Sequence, residues 1–156
     1  MTMNGLMLFY QVNLNMISVN GYFLASEGNR QLTKNFKVNE FKSRNCQVTF
    51  IQTELVDILQ KLRTKLNTPV NVNSGFRTYT HNKAVNGSTN SAHLLGCAAD
   101  ISTSKYSAEQ LAKELYNMFG NKIAIGLHTK ENYVHIDTIY RGNFYKETLS
   151  NKVSKF

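Results

Sequence analysis

Two cysteines, one proline and no tryptophan occur among the 156 residues, and 10 acidic side chains face 18 lysines and arginines. With only Cys46 and Cys97 there is no disulfide framework and no multi-cysteine zinc site; two buried free thiols are expected. No apolar run approaches the roughly 18–20 residues needed to span a bilayer, so no membrane span is expected. The opening MTMNGLMLFYQVNLNMISV is apolar in part but has no basic n-region and is interrupted by Asn and Gln, which does not fit a signal peptide. Repeats, low-complexity tracts and obvious linkers are absent too. The expectation is one domain over 1–156 with a single core, in which 1–30 forms a weakly patterned N-terminal extension. The shortage of acids leaves a net charge of +8, which favours an anionic partner such as nucleic acid, a membrane surface or an acidic cell-wall polymer. The basic residues are scattered, without a dense run or interleaved aromatics, which argues against nucleic acid.

The apolar residues that are present carry clear periods. Ile51, Leu55, Ile58, Leu59, Leu62 and Leu66 recur three or four apart, and Thr49 with Gln52 forms a capping box, so a helix is expected from Thr49 until shortly before Pro69. VNVNSGFR alternates and breaks at Gly75, as a strand ending in a turn would. A short helix fits THNKAV, closed by Asn86-Gly87. A longer helix fits the stretch after Ser107, with Gln110 completing a capping box, Leu111, Ala112, Leu115, Met118 and Phe119 as its buried face, and Gly120 at its end. In KIAIGLHTKENYVHIDTIY two β-rich runs flank the polar TKEN, which predicts a hairpin. NKVSKF reads as a frayed basic tail. Strands and helices are segregated, which makes the fold class α+β, a small antiparallel sheet with flanking helices.

Chemistry enters with SAHLLGCAAD, residues 91–100, where a histidine and an aspartate seven apart enclose small and apolar residues. Charged groups are seldom buried unless paired or bound to a metal. The spacing alone is weak: a carboxylate seven residues after one of four histidines arises by chance about a quarter of the time. VHID adds a second clue, because positions two apart on a strand share a face. With TKEN as the turn, Tyr133 pairs with His128 and His135 with Gly126, so His128, His135 and Asp137 line one face. The glycine opposite His135 leaves room for something bulky, such as a metal with bound water. Two imidazoles and a carboxylate with an open fourth position form a catalytic zinc arrangement, which lowers the pKa of bound water toward about 7 and polarises a carbonyl. A metal would also supply the partner of Asp100. The competing reading is a loop histidine with an aspartate that caps nearby backbone amides.

SAHLLGCAAD matches the S-x-H-x-x-G-x-A-x-D motif of the zinc D-alanyl-D-alanine carboxypeptidases and phage L-alanyl-D-glutamate peptidases, which share a fold with lysostaphin-type endopeptidases and the hedgehog signalling domain. The resemblance runs over about 35–140, through NFKVNEF, SGFRTYTHNKAVNGSTNSAH and IAIGLHTKENYVHIDT. It implies a hedgehog-like fold and Zn²⁺ held by His93, Asp100 and His135. It also implies that Arg77 contacts a substrate carboxylate or carbonyl oxygen, a task suited to its planar fork. Ser91 would brace the loop that carries His93. Gly96 permits the turn, Ala98 and Ala99 allow close packing, and Cys97 is inert and buried. Many members carry an acid three residues before the last histidine as general base. Here that position is Asn132, which cannot take a proton. Asp137, on the strand face of His135, becomes the leading candidate base, followed by Glu131 and His128, while His81 is read as a helix-face residue without a chemical role.

The resemblance thus implies a monomeric zinc peptidase of peptidoglycan peptide stems, of carboxypeptidase or endolysin type. It would be made in the cytoplasm and act on the cell wall after release, as a phage lysin or virion-associated enzyme does. The alternative is a zinc-containing wall-binding or structural module that has lost catalysis, for which Asn132 is the best support.

Overall fold

A computed structural model describes residues 17–147 and 153–154. Its strands, numbered in chain order, are β1 (Val19–Phe23), β2 (Val48–Gln52), β3 (Asn71–Ser74), β4 (Ala98–Ser102), β5 (Ala124–His128), β6 (Tyr133–Asp137), β7 (Phe144–Glu147) and β8 (Val153–Ser154). The helices are α1 (Leu24–Glu27), α2 (Thr53–Leu66), α3 (Tyr79–Ala84) and α4 (Ala108–Phe119). β1 and β2 form a separate antiparallel pair, and the other six strands form one sheet in the order β3-β4-β6-β5-β7-β8. The class is α+β, as the segregation of elements implied. The sheet departs from a purely antiparallel one at β5–β7, which run parallel.

Alternation along the three central strands separates a core face from a polar face. Ala99 and Ile101 of β4, Ile125 and Leu127 of β5, and Val134 and Ile136 of β6 are buried against α2 and α4. α2 contributes Leu55, Ile58, Leu59, Leu62 and Leu66, and α4 contributes Leu111, Ala112 and Leu115. Each fully buried leucine stabilises the fold by about 1.5–3 kcal/mol relative to exposure, and truncating Leu59 or Leu62 to alanine would cost about 2–5 kcal/mol. The intervening residues, Asp100, His128, His135 and Asp137, necessarily emerge on the opposite face. A slip of one residue in register would bury them, so the apolar core fixes the site.

The hairpin has the register expected from TKEN, with Gly126 opposite His135 and His128 opposite Tyr133. α4 begins at the capping box of Ser107 and Gln110, whose side chains each accept the other's backbone N–H, at 3.3 and 2.9 Å. The start of α2 differs from expectation. Thr49 and Gln52 are not a capping box: they lie in β2 and pair with Tyr22 and Val19, Thr49 Oγ1 donates to the Phe41 carbonyl, and the helix begins at Thr53. VTFIQ is rich in β-branched and aromatic residues, and a partner strand that ends at Phe23, 25 positions upstream of Val48, overrode the helical spacing of Ile51. Part of the expected extension is therefore ordered as β1, while 1–16 lie outside the described residues. In the expected frayed tail, Val153 and Ser154 instead pair with Glu147 and Lys146 of β7, and the rest of that tail lies outside the described residues.

Candidate metal centre

Three elements bring His93, Asp100 and His135 together. Ala92–Leu95 form one 3-10 turn, opened by Ser91, whose Oγ accepts the His93 N–H at 3.3 Å, and closed by Gly96 at φ +69°. Any side chain on Gly96 would collide with the Phe50 carbonyl, 2.2 Å from where its Cβ would lie. The turn feeds directly into β4, where Asp100 pairs across the ladder with His135 of β6 and so shares its face. His93 and Asp100 are buried, with His135 half-buried at the floor of a cleft.

His135 Nδ1 lies 2.9 Å from Asp100 Oδ1, and His93 Nε2 lies 3.2 Å from each of these atoms. Zinc takes nitrogen and carboxylate ligands at roughly 2.0–2.2 Å, and the edge of such a tetrahedron is about 3.3 Å. The three donors therefore fit one face of a tetrahedral ion, and all three residues line the cleft. The partners behind them agree. His93 Nδ1 lies 2.6 Å from the Gly75 carbonyl, and His135 Nε2 lies 3.1 Å from Asp137 Oδ2. Each acceptor suits an N–H on the outer ring nitrogen, so that with a metal bound the inner nitrogen would offer it a lone pair.

The electrostatics favour a cation at this point. Burial opposes charge on Asp100, but hydrogen bonds from His135 and His93 outweigh it and hold the carboxyl well below its usual range. Burial likewise disfavours the charged form of His135, yet its bonds to Asp100 and Asp137 push it up to about 9. Burial also raises Asp137, but less than the His135 bond and the Tyr140 and Ile139 backbone amides lower it.

The other residues singled out in the sequence surround this triangle or lie near it. Arg77, expected to contact substrate, lines the cleft, where its Nη2 donates to Asp100 Oδ2 at 2.5 Å and its Nε to Ser74 Oγ at 2.9 Å. It clamps the one carboxylate of the triangle from behind. Asp137 was expected beside the metal as a base. Its carboxylate instead lies at the outer nitrogen of His135, and its Oδ1 accepts the N–H groups of Ile139 and Tyr140 at 2.9 and 2.7 Å. The same strand face does bring Asp137 to His135, but on the side turned away from Nδ1. The room opposite His135 is not left for a metal either: the ring of Tyr145 from β7 covers Gly126, where a Cβ would lie 2.2 Å from its Cζ. Asn132 sits in the turn at φ +53°, and its Oδ1 accepts the Ala108 N–H at 2.8 Å, at the start of α4. Asparagine suits both tasks, since it tolerates the left-handed region and offers a neutral acceptor. Glu131 is exposed in the same turn.

The cleft has a volume of about 690 Å³. On one side stand His128, stacked on Tyr133 at 4.2 Å between ring centres, and Tyr145. On another run Asn86, Ser88, Asn90 and Ser91, and Tyr140 ties this lip to the end of β6 through a 2.5 Å hydrogen bond to the Asn90 carbonyl. His81 lies apart from the triangle and bonds Ser43 Oγ through Nδ1 at 2.9 Å. Gly75, Tyr140 and Tyr145 had no sequence signal, because a backbone carbonyl and isolated tyrosines carry no motif. No helix among the described residues is long and apolar enough to cross a membrane.

A model of the family described as Peptidase M15 matches residues 34–137, about two thirds of the chain, and that segment contains all three members of the triangle. No curated protein gives a significant match. With the motif, the three central strands and the His–Asp–His geometry all inside the matched segment, the chain belongs to the Peptidase M15 family of zinc-dependent carboxypeptidases and endopeptidases.

Proposed function

We propose that this protein is a zinc-dependent peptidase that hydrolyses amide bonds in the peptide stems of bacterial peptidoglycan, with His93, Asp100 and His135 as the metal ligands. The observation that carries the reading is the triangle of donor atoms at 2.9–3.2 Å, set in a cleft and braced from behind at every corner. Bound there, Zn²⁺ supplies a Lewis acid and a water made nucleophilic at neutral pH. The chain's own residues do the rest. The Gly75 carbonyl and Asp137 set the two imidazole tautomers, and Arg77 holds Asp100 in place. Ser91 fixes the turn from which His93 projects.

His128 is the proposed proton acceptor. It lies on the face of His135, one step diagonally across the hairpin, a separation of roughly 7 Å that one water can bridge. An imidazole can take a proton from the attacking water and return it to the leaving amine near neutral pH. In this reading Asp137 assists through His135 rather than by touching the reacting atoms. The net charge of +8 suits an anionic wall, and a phage lysin or virion-associated enzyme acting after release is the proposed setting.

The test is mass spectrometry of peptidoglycan fragments after incubation with zinc-loaded protein, chelator-treated protein and His93→Ala. Cleaved stem peptides should appear with the first sample alone, and the new termini identify the bond and whether the enzyme works from the end or the middle of the stem. Unchanged fragments with a fully zinc-loaded sample would overturn the reading in favour of a zinc-holding wall-binding module. Asn132, which occupies the position where many relatives carry an acid, is the observation that favours that second reading.

A further inference from the structure

We propose that Tyr140 is a positioning residue that sets substrate affinity: it straps the lip formed by residues 86–91 to the metal-bearing sheet, and so holds the lip's polar groups where they bind the backbone amides of a stem peptide. This rests on the peptidase reading above. Tyr140 lies beyond residue 137, where the family match ends, so nothing in that match assigns it a role.

The lip is neutral and irregular. Residues 84–92 carry no charged side chain, and Asn86, Ser88 and Asn90 are exposed along the cleft. Neutral amides and hydroxyls both donate and accept, which suits the alternating N–H and C=O groups of a peptide better than a charged side chain. Residues 85–90 form neither helix nor strand, and Asn86 stands at φ +53°. Their own hydrogen bonds reach only nearby partners. The Asn86 N–H donates to the Lys83 carbonyl, the Gly87 N–H to the Asn82 carbonyl, Asn82 Nδ2 to the Ser88 carbonyl and the Asn90 N–H to Ser88 Oγ. The longest of these spans six positions. Such bonds fix the shape of the loop, but its distance from the strands across the cleft needs a bond that crosses.

Tyr140 supplies that bond. Its hydroxyl donates to the Asn90 carbonyl at 2.5 Å, 50 positions away, while its backbone N–H donates to Asp137 Oδ1 at 2.7 Å. One residue thus joins the lip to the carboxylate that orients His135, and its ring lines the cleft. The metal triangle does not depend on the strap. His93 is held by the Gly75 carbonyl at Nδ1, by Ser91 Oγ at its N–H and by the Arg77 N–H at its carbonyl. Asp137 is held by backbone amides, which a change in the Tyr140 side chain leaves in place. Losing the hydroxyl therefore loosens the lip and spares the ligands, so the loss falls on substrate binding and not on the chemical step.

Tyr140→Phe keeps the ring and the backbone bond to Asp137 and removes the strap. In zinc-loaded protein acting on soluble stem peptides, KM should rise by about three- to tenfold, the loss expected for one hydrogen bond, with kcat and zinc affinity within about twofold of wild type. Hydrogen exchange read by mass spectrometry should quicken over residues 86–91 and stay unchanged in β5 and β6. Asn86→Gly removes one amide of the lip without strain at its positive φ. It should raise KM in the wild type and do so less on top of Tyr140→Phe, because the loosened lip no longer presents that amide; a strap that served stability alone would leave the two effects additive. If the wild type cleaves stem peptides and Tyr140→Phe raises KM by less than about threefold, or lowers kcat and zinc affinity instead, the role of Tyr140 is refuted and the peptidase reading stands. If the zinc-loaded wild type cleaves none, both fall together.

Discussion

Replacing Asp137 with asparagine leaves the side chain almost isosteric and exchanges one acceptor oxygen for an NH₂ donor. Three hydrogens converge on the native carboxylate: the Nε2–H of His135 on Oδ2, and the amides of Ile139 and Tyr140 on Oδ1. An asparagine can keep its oxygen on the two amides, but its NH₂ then faces His135 Nε2, which must become an acceptor. The proton moves to Nδ1, the atom that points at Asp100 and at the metal position. In the flipped rotamer the NH₂ faces two backbone donors, which leaves them unsatisfied at a cost of about 1–3 kcal/mol. Either arrangement harms ligation. Losing a partner of this kind lowers metal affinity by about 10- to 100-fold, or roughly 1.4–2.7 kcal/mol. Zinc affinity of wild type and Asp137→Asn should be compared by competition with a chromophoric chelator at pH 7.5, with circular dichroism to confirm folding. If zinc affinity stays within twofold while the turnover of stem peptides falls 10²-fold, Asp137 acts on the reacting water itself and the orientation argument fails.

Arg77→Lys should also weaken zinc binding, by about tenfold or more, because an ammonium cannot bond Asp100 and Ser74 together as the guanidinium does; full zinc affinity with lost activity would return Arg77 to the substrate. Asn132→Ala removes the acceptor for the Ala108 amide and places alanine at φ +53°, for a loss of about 2 kcal/mol and a fall in Tm on the order of 5 °C at unchanged zinc content. A melting curve that superimposes on wild type would contradict that capping role. Burial pushes the Cys97 thiol up to about 11, so thiolate forms only as pH approaches that value, and at pH 8 about one molecule in a thousand carries it. Iodoacetamide at pH 8, mapped by peptide mass spectrometry, should spare Cys97 in the folded protein and modify it after denaturation; prompt labelling of the folded form would show the thiol to be accessible.

Local chemistry explains what was legible in the sequence. The hairpin register follows from a four-residue turn and a period of two, which is why His128, His135 and Asp137 could be set on one face before any fold was known. The capping box at Ser107 is a three-residue signal. The spacing of His93 and Asp100 spans one turn and the strand it enters, so the motif carries its own geometry. Other features depended on partners far along the chain. Thr49 joined a strand because β1 lay alongside, against a local pattern that read as helix. Arg77 found Asp100 23 positions away, and Asn132 found the start of α4, so neither side chain's direction could be read from its neighbours. Asp137 shares the face of His135 as its offset requires, but only the backbone turn at Ile139 and Tyr140 decided which nitrogen it meets. The gap at Gly126 was visible in the sequence; its occupant came from β7, whose parallel docking on β5 is a long-range pairing that no local pattern encodes.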